Sequence, residues 1–503
     1  MTPPVRISLT GSAWLMAVGL LAPCGVRGQG YRAELRAGTS YLEARPLVRD
    51  SLLASEVPGA ELRRRLPDGT VATCIPGEYC RWYRAGGVES LLVTTQELLA
   101  TGWTAVQGLS GRVHLRGRYG SDAFWPQSTQ EFEVVSAYVD YDRSDYRARA
   151  GRLFRTDGLG YYNFDGASVL WRGWSPLWVE VYGGWSLPRG LNVLRSGDLV
   201  SRADPLAPDD RGFIIGAEAG GRLGRFASGR VTYQREIRTD RLALYSERLA
   251  ADARAFFGRT VLELSAEYDW AYAQLDELRL RVNTPVTAGL EIVAEARHHS
   301  PFFELWTIWG AFSPVGFNEG RLALAWSDAD LGLSLQAGGA YRDYEETSAG
   351  PADSGVRDDG WRGSIDGSWR GGEWFASGAY RAEAGFGAAR FGGDVRAGRF
   401  LGEGTHISVR GSLTQTFGEF RLNEQLVSGV GVDGGFRIGD FTLNGGAALY
   451  RIGSRERPTD DDWTQARLYS SLSYRFGIEP SATGRPGATG RSGEADTTRS
   501  VGR

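Results

Sequence analysis

The sequence has no lysine and little cysteine, histidine or methionine in its 503 positions. All 57 basic residues are arginine, and the chain has three cysteines, four histidines and two methionines. No run of about 20 apolar residues occurs, which excludes a membrane-spanning helix. The net charge of -3 excludes a strongly basic nucleic-acid-binding protein, so we expect no nucleic-acid partner.

Glycine and aromatic residues, in contrast, are abundant. The chain has 70 Gly, 16 Trp, 21 Tyr and 21 Phe, and its glycine share of about 14% is twice the usual one. Because glycine costs up to about 1 kcal/mol at a helical position, this composition argues against an all-helical protein and favours strands joined by many turns.

The amino terminus has the pattern of a secretory signal peptide over residues 1–28. Arg6 starts a short positive region, residues 13–22 are apolar, and a segment of small, helix-breaking residues follows. We expect cleavage near Gly28. Cys24 could instead mark a lipoprotein site, but Pro23 directly before it fits that interpretation poorly.

Secretion then leaves two cysteines, Cys74 and Cys80, around a Pro-Gly turn. In an oxidising compartment such a pair most simply forms a disulfide. A zinc site would need two further ligands, and no histidine lies within thirty residues. We therefore predict a disulfide inside a long excursion, residues 43–90, and no metal or cofactor.

From Tyr31 to Phe476, segments of about ten residues alternate apolar with polar or small residues, the period-2 pattern of half-buried strands. Leu278, Leu280 and Val282, for example, alternate with Arg279 and Arg281. Turn residues separate the segments.

The connections alternate between tight and long. Tight ones centre on glycines such as Gly224, Gly258 and Gly439, whereas 155–164, 188–210, 300–318 and 345–359 are longer and polar or irregular. Short periplasmic turns opposite longer extracellular loops are typical of outer-membrane barrels. We therefore predict an all-β, transmembrane, antiparallel up-and-down β-barrel over residues 29–476, with about 22 strands and 18 to 20 as alternatives.

A soluble β-sandwich, propeller or solenoid would also show period-2 strands. Alternation through nearly the whole chain, aromatics beside turns and alternating loop lengths favour the bacterial outer membrane, with its lipid as a partner. The last strand ends on Phe476 and resembles the carboxy-terminal strand recognised by the barrel assembly machinery, which implies that machinery as a partner during biogenesis. Residues 477–503 have the composition of a disordered tail.

One stretch carries a narrower resemblance. Gly151-Arg152 and the return strand Phe164-Asp165-Gly166, within residues 146–185, resemble the porin-like and alginate-export outer-membrane families, although Leu153 stands where those families usually have Gln. The resemblance implies lumen arginines that help to pass anionic polymers, with Arg147, Arg149 and Arg152 as the nearest equivalents. A glycine-rich hairpin with a polar inner face is the simpler interpretation.

The alternation also predicts which residues line the lumen. A charged arginine facing lipid at the midplane costs about 2 to 4 kcal/mol, so arginines opposite an apolar face should point inward. The predicted pore-lining residues are Arg112, Arg116, Arg118, Arg147, Arg149, Arg279 and Arg281.

An aromatic loop is predicted to narrow this lumen, because such an apolar surface should not stand free in water. Its residues are Phe302, Phe303, Trp306, Trp309 and Phe312. The alternative is that the loop lies against the outer headgroups as part of the aromatic girdle.

The sequence shows no catalytic signature. It has no G-x-S-x-G elbow, and His298 and His299 are adjacent, so on a strand they point to opposite faces. We expect a non-enzymatic, porin-like channel for hydrophilic solutes, with anionic solutes as one candidate class and the solute itself unknown. A non-conducting structural or adhesion barrel and an outer-membrane enzyme remain as alternatives.

Overall fold

The structure is a computed structural model of the full chain. It describes residues 30–45, 47–59, 63–66, 71–75, 77–120, 132–187, 212–238, 244–300, 316–345, 359–385, 388–417, 425–454 and 462–478. The predicted signal peptide, the aromatic loop from Phe302 to Phe312 and residues 479–503 of the predicted tail lie outside the described residues. No helix long and apolar enough to cross a membrane occurs in the described ranges.

The described chain consists of strands joined by turns and loops. In chain order they are β1 (Gly30–Ala44), β2 (Leu47–Leu53), β3 (Arg63–Arg65), β4 (Val71–Cys74), β5 (Tyr79–Ala85), β6 (Glu89–Trp103), β7 (Leu109–Gly120), β8 (Phe132–Asp142), β9 (Tyr146–Asp157), β10 (Gly160–Trp174), β11 (Leu177–Ser186), β12 (Gly212–Leu223), β13 (Ala227–Arg238), β14 (Leu244–Phe257), β15 (Thr260–Asp269), β16 (Gln274–Pro285), β17 (Leu290–His299), β18 (Phe317–Asp328), β19 (Leu333–Tyr344), β20 (Asp359–Gly371), β21 (Trp374–Gly385), β22 (Ala388–Gly402), β23 (Thr405–Phe417), β24 (Gln425–Ile438), β25 (Phe441–Ser454) and β26 (Trp463–Ile478).

Twenty-two of these strands form one closed antiparallel sheet, which confirms the predicted fold class. β1 pairs with β6, each strand from β6 to β26 pairs with the next, and β26 returns to pair with β1. Closure leaves the barrel without an unpaired edge, which is what a sheet in hydrocarbon requires. Gly477 and Ile478, which the sequence analysis placed in the tail, belong to β26 because they pair with Arg32 and Tyr31.

Side chains alternate between the two faces of the wall, as the period-2 pattern predicts. On β16, Leu278 and Leu280 point outward and are 40% and 42% exposed, while Arg279 lies on the inward side and pairs with the buried Glu295. Outward apolar residues recur on every side of the barrel, for example Val181, Val395 and Leu468. The outer face is therefore the one suited to lipid.

The connections at one end are all short, none longer than residues 104–108. Gly224, Gly258 and Gly439 sit in them with φ of 57°, 64° and 54°, a conformation that side chains disfavour. At the opposite end some consecutive strands are far apart in sequence, such as Gly120 and Phe132 or Ser186 and Gly212, whereas others are close, such as Asp157 and Gly160.

A second, four-stranded sheet occupies the connection between β1 and β6. Its order is β2-β5-β4-β3, and Cys74 and Cys80 face each other across β4 and β5 in a disulfide. The disulfide packs in a small core with Val57, Leu66 and Ala72. This sheet lies within the predicted 43–90 excursion, on the long-loop side of the barrel.

Candidate functional site

The β9–β10 hairpin leaves the barrel wall. β9 pairs with β8 only over Arg147–Arg152, and β10 pairs with β11 only from Phe164 onward. Between these points the two strands pair only with each other, up to a two-residue turn at Gly158 and Leu159. The sequence analysis placed an irregular loop over 155–164; this was wrong, because both strands continue to the turn.

Gly151 stands where the hairpin separates from the wall. Its φ is 132°, and a Cβ atom there would lie 2.2 Å from the carbonyl oxygen of Ala137 on β8. No other residue type can be accommodated in that conformation so close to a neighbouring backbone. The glycine of the Gly151-Arg152 pair thus permits the close approach from which the hairpin turns inward.

The hairpin packs its apolar side chains on the inner wall. The buried cluster combines hairpin residues with wall residues of β11, β12 and β14, and its members are Leu153, Leu159, Tyr162, Phe164, Tyr182, Ile214 and Ala250. Ile214 is 1% exposed, whereas the outward Ile215 beside it is 49% exposed. The difference shows that the hairpin covers the lumen side of the wall.

Arg155 anchors the hairpin to the wall electrostatically. Its guanidinium donates to Glu180 of β11 at 2.7 Å and to Glu218 of β12 at 2.5 Å, and it lies 4.2 Å from the centroid of the Tyr182 ring. All of these side chains are buried. Arg149 also pairs with Glu180 at 2.8 Å, so the two arginines together balance the two buried carboxylates, which would be costly as unpaired charges.

A second arginine, on wall strand β14, binds the tip of the hairpin. Arg248 of β14 donates to the hydroxyl of Tyr162 at 2.8 Å and to the backbone oxygen of Leu159 at 3.3 Å. A Cβ atom at Gly158 would lie 2.9 Å from the Cβ of Ala250. The tip therefore crosses the inner face of β11, β12 and β13 and ends against β14.

All seven predicted pore-lining arginines lie on inward positions of their strands, and most face a carboxylate. The ion pairs are Arg116 with Glu97 (2.6 Å), Arg118 with Glu133 (2.7 Å), Arg147 with Asp140, Arg149 with Glu180 (2.8 Å), Arg279 with Glu295 (2.8 Å) and Arg281 with Glu263 (4.0 Å). Arg112 has no ion-pair partner among the described residues. These pairs make much of the lumen wall charge-balanced.

Arg152, one of the three arginines that the family resemblance placed in the lumen, faces outward instead. It pairs with Asp165 of β10, Nε to Oδ1 at 2.7 Å and Nη2 to Oδ2 at 3.0 Å. Alternation from Arg147 and Arg149 already puts position 152 on the other face, so the motif match misassigned it.

The sequence analysis also did not predict that this hairpin folds onto the inner wall. The aromatic loop predicted to narrow the lumen lies outside the described residues, so that prediction stays a prediction. A signal was present, since Leu153 occupies an inward position in line with Arg147 and Arg149. A large apolar side chain on a polar inner face indicates that something packs against it.

The described residues do not arrange three or more His, Cys, Asp or Glu side chains around a possible metal position. What they do arrange is a closed wall with an apolar outer face, a polar inner face and an inward-folded hairpin, which suits a bilayer outside and water inside. The chain is an outer-membrane β-barrel.

No protein-family model and no curated protein matches the sequence. Similar solved structures include OccK3 (OpdO) of Pseudomonas aeruginosa, with 10% identity and a TM-score of 0.39 over 89% of this chain and 96% of that one. The P pilus usher (PapC) translocation pore has 10% identity and 0.43 over 90% and 100%. The anion-selective porin from Comamonas acidovorans has 12% identity and 0.32 over 53% and 93%.

At these scores the likenesses carry no argument about function, and the strand pairings establish the fold by themselves. The resemblance of residues 146–185 to the alginate-export family stays a prediction.

Proposed function

We propose that this barrel is a porin-like channel through which hydrophilic solutes cross the outer membrane. The observation that carries the proposal is the hairpin docked on the inner wall by Arg155 and Arg248. A barrel of this strand number is wide enough for an aqueous lumen, and an inward-folded segment narrows that lumen.

The inner face of the wall away from the hairpin bears on whether the lumen conducts. Inward positions on β22 to β26 carry small residues, among them Gly392, Ser412, Gly431, Gly446 and Ser471. Larger inward side chains occupy part of the space beside them, since a Cβ atom at Gly431 would lie 2.9 Å from Nε of Arg410 and one at Gly446 would lie 2.6 Å from Cε1 of Tyr469. These inward side chains are small or polar, and a polar inner face favours a water-filled lumen over the alternative of a non-conducting structural or adhesion barrel.

The charge-balanced wall bears on the class of solute. Arginines and carboxylates alternate along neighbouring strands, as in Arg342 and Arg362 with Glu319. Both signs on a narrow wall suit polar and charged solutes and disfavour apolar ones. Among such solutes, we propose that the channel passes anionic ones.

Two partners follow from the same reasoning. We infer that outer-membrane lipid surrounds the apolar outer face, and that the barrel assembly machinery inserts the chain through β26, whose outward residues include Leu468 and Leu472. Depletion of that machinery should leave the chain unfolded in the periplasm.

Purified protein in planar lipid bilayers tests the channel. We expect discrete current steps in simple salt and swelling of protein-containing liposomes in hydrophilic sugars. Folded barrel that inserts into the bilayer and gives neither current nor swelling would contradict the channel and favour the structural alternative.

A further inference from the structure

A second feature of the lumen lies on β11 to β16, next to the hairpin tip and toward the short-turn end. It is a pocket of about 450 Å³, a volume within the range of small-molecule sites. Seven charged side chains line it, namely Arg222, Arg230, Asp252, Arg254, Glu263, Arg279 and Arg281. The sequence analysis selected only Arg279 and Arg281 of this set.

The charges of this lining do not balance. Arg230 pairs with Asp252 at 2.8 Å, Arg254 pairs with Glu263, and Arg281 is 4.0 Å from the same Glu263. Arg279 pairs with Glu295, which lies outside the lining. Five arginines against two carboxylates leave a positive excess inside the pocket, unlike the paired wall around the hairpin.

Arg222 is the least neutralised of the five arginines. It lies on an inward position two residues before Gly224, and among the described residues it has no ion-pair partner. Its side chain is exposed to the lumen. A guanidinium in this state can offer its fork of N–H donors to a carboxylate or phosphate, for which it is geometrically matched.

Trp178 adds a flat apolar surface to the same pocket. It faces Gly220 across β11 and β12, and a Cβ atom at position 220 would lie 2.5 Å from its Cζ2 atom. The indole therefore lies across the glycine, close against the wall. Aromatic side chains beside a few placed polar groups are the usual composition of a small-molecule site, and the flat face of an indole can pack against the face of a ring.

The pocket also lies directly beyond the hairpin tip. Asp252, bonded to Arg230, is the residue whose Oδ2 would lie 3.1 Å from a Cβ atom at Gly158 in the tip. A solute that passes the tip therefore reaches the arginines next. Steering by a local excess of one charge sign acts over such short distances even in physiological salt.

We propose that this arginine pocket, formed by Trp178, Arg222, Arg230, Arg254, Arg279 and Arg281, is a binding site for a ring-shaped solute that carries an oxyanion. The ring lies on Trp178, and the carboxylate or phosphate is held by Arg222 and Arg230, the arginines nearest to Trp178 in the strand register, with Arg222 as the main donor. Arg254, Arg279 and Arg281 add positive charge along the rest of the pocket. The site deepens the proposed channel function and rests on it for the route by which the solute arrives.

The test measures binding of three probes to the full-length, detergent-purified protein by calorimetry. Glucuronate and glucose 6-phosphate carry the two oxyanions on a sugar ring, and glucose carries none. We expect both acids to bind and glucose not to bind. If only one acid binds, the result assigns the oxyanion as carboxylate or phosphate; if glucose binds as well as the acids, the proposal is overturned.

Variants locate the site. The double substitution Arg222→Gln with Arg281→Gln should weaken binding of the acids at least about tenfold, since it removes a charged hydrogen-bond donor to the oxyanion and part of the surrounding positive charge. The control, Arg410→Gln with Arg467→Gln, removes the same charge from inward positions of β23 and β26 and should leave binding unchanged. Equal affinity in both double variants would overturn the site.

A third variant separates the ring from the charge. Trp178→Ala should weaken binding of glucuronate and leave binding of inorganic phosphate unchanged, because only the sugar ring uses the indole. Equal loss for both probes would remove Trp178 from the site. Resistance of the barrel to trypsin shows that each variant is folded.

Currents in planar bilayers distinguish failure of the site from failure of the channel. Current steps without binding of either acid would leave the channel standing and remove the pocket. Binding that is lost in Arg222→Gln with Arg281→Gln, in a protein that gives no current, would remove the channel and leave the pocket as a ligand site.

Discussion

Arg248 of β14 donates a hydrogen bond to the backbone oxygen of Leu159, the tip residue of the β9–β10 hairpin, at 3.3 Å. Three strands of the wall, β11 to β13, stand between the two residues in the sheet. The contact therefore closes a bridge across the inner face. It makes the position of the hairpin a property of the folded barrel and not of the hairpin sequence alone.

A cysteine pair should trap this docked hairpin. A Cβ atom at position 158 would lie 2.9 Å from that of Ala250, about 0.6 Å closer than the shortest usual Cβ separation of a disulfide, so a small shift of the tip brings the pair into range. Gly158→Cys with Ala250→Cys should crosslink spontaneously in the periplasm, as seen by mass spectrometry of the non-reduced protein. Gly158→Cys with Ala219→Cys, which puts the second cysteine on the outward face of β12, should stay reduced; two free thiols in both variants would mean that the hairpin does not dock.

Shortening the hairpin should widen the channel. Replacing residues 155–162 by Asn-Gly closes the strands at the Phe154–Asn163 pair with a two-residue turn. We expect larger single-channel conductance, because the segment that covers the inner face of the wall is removed. The control replaces Ala271 and Tyr272, at the same end of the barrel, by Asn-Gly and should keep the original conductance. An unchanged current in the shortened hairpin would show that it does not narrow the pore.

Removing the Arg155 side chain should loosen the hairpin. Arg155→Ala leaves Glu218 and Glu180 without the guanidinium that they share, at a cost of about 3 to 5 kcal/mol for a broken buried pair. Amide hydrogen exchange of the hairpin residues should become faster while exchange of the wall strands stays slow. Arg399→Ala, which breaks an exposed pair with Glu373, should cost less than about 1 kcal/mol. Equally slow exchange in Arg155→Ala would show that packing alone holds the hairpin.

Labelling of single cysteines on intact cells tests the topology. Arg225 and Arg259 lie in short turns, whereas Glu56 and Ala271 lie at the opposite end of the barrel. Cysteines at Glu56 and Ala271 should react with an impermeant thiol reagent, and those at Arg225 and Arg259 should react only after the cells are broken. The reverse pattern would place the short turns outside and invert the barrel.

The disulfide should stabilise the small sheet and not the barrel. Cys74→Ser with Cys80→Ser opens a short disulfide-closed loop. On the chain-entropy account this lowers the free energy of unfolding by about 2 kcal/mol. Proteolysis of residues 47–85 should become faster while the barrel stays resistant. Mass spectrometry of the unreduced wild type provides the direct check, and two free thiols there would contradict the disulfide.

The barrel itself was predictable from the sequence because its determinants are local. A strand that crosses a bilayer must alternate apolar and polar residues, and Leu278 and Leu280 with Arg279 and Arg281 show this within a few positions. The short turns are local as well, since Gly224 and Gly439 supply the positive φ that the chain needs there. Strand count and inward faces followed from these patterns.

The docked hairpin and the arginine pocket could not be predicted from local sequence patterns. The alternation of apolar and polar residues predicts which face of the sheet a side chain lies on, but not which other strands it contacts. Arg155 meets Glu218 and Arg248 meets Tyr162 only because the register of several strands brings them together. Arg222 and Arg254 join one pocket for the same reason, although they lie on different strands.

The sequence by itself thus determined an all-β chain with an apolar outer face, a polar inner face and turns at fixed places, since each of these depends on neighbours along the chain. Only the tertiary structure decided that the hairpin after Gly151 turns into the lumen, and that some arginines there are neutralised while those around Arg222 keep an excess of charge. Both outcomes depend on contacts between strands that are distant in sequence, and the energy of a buried or paired charge is set by what the fold places beside it.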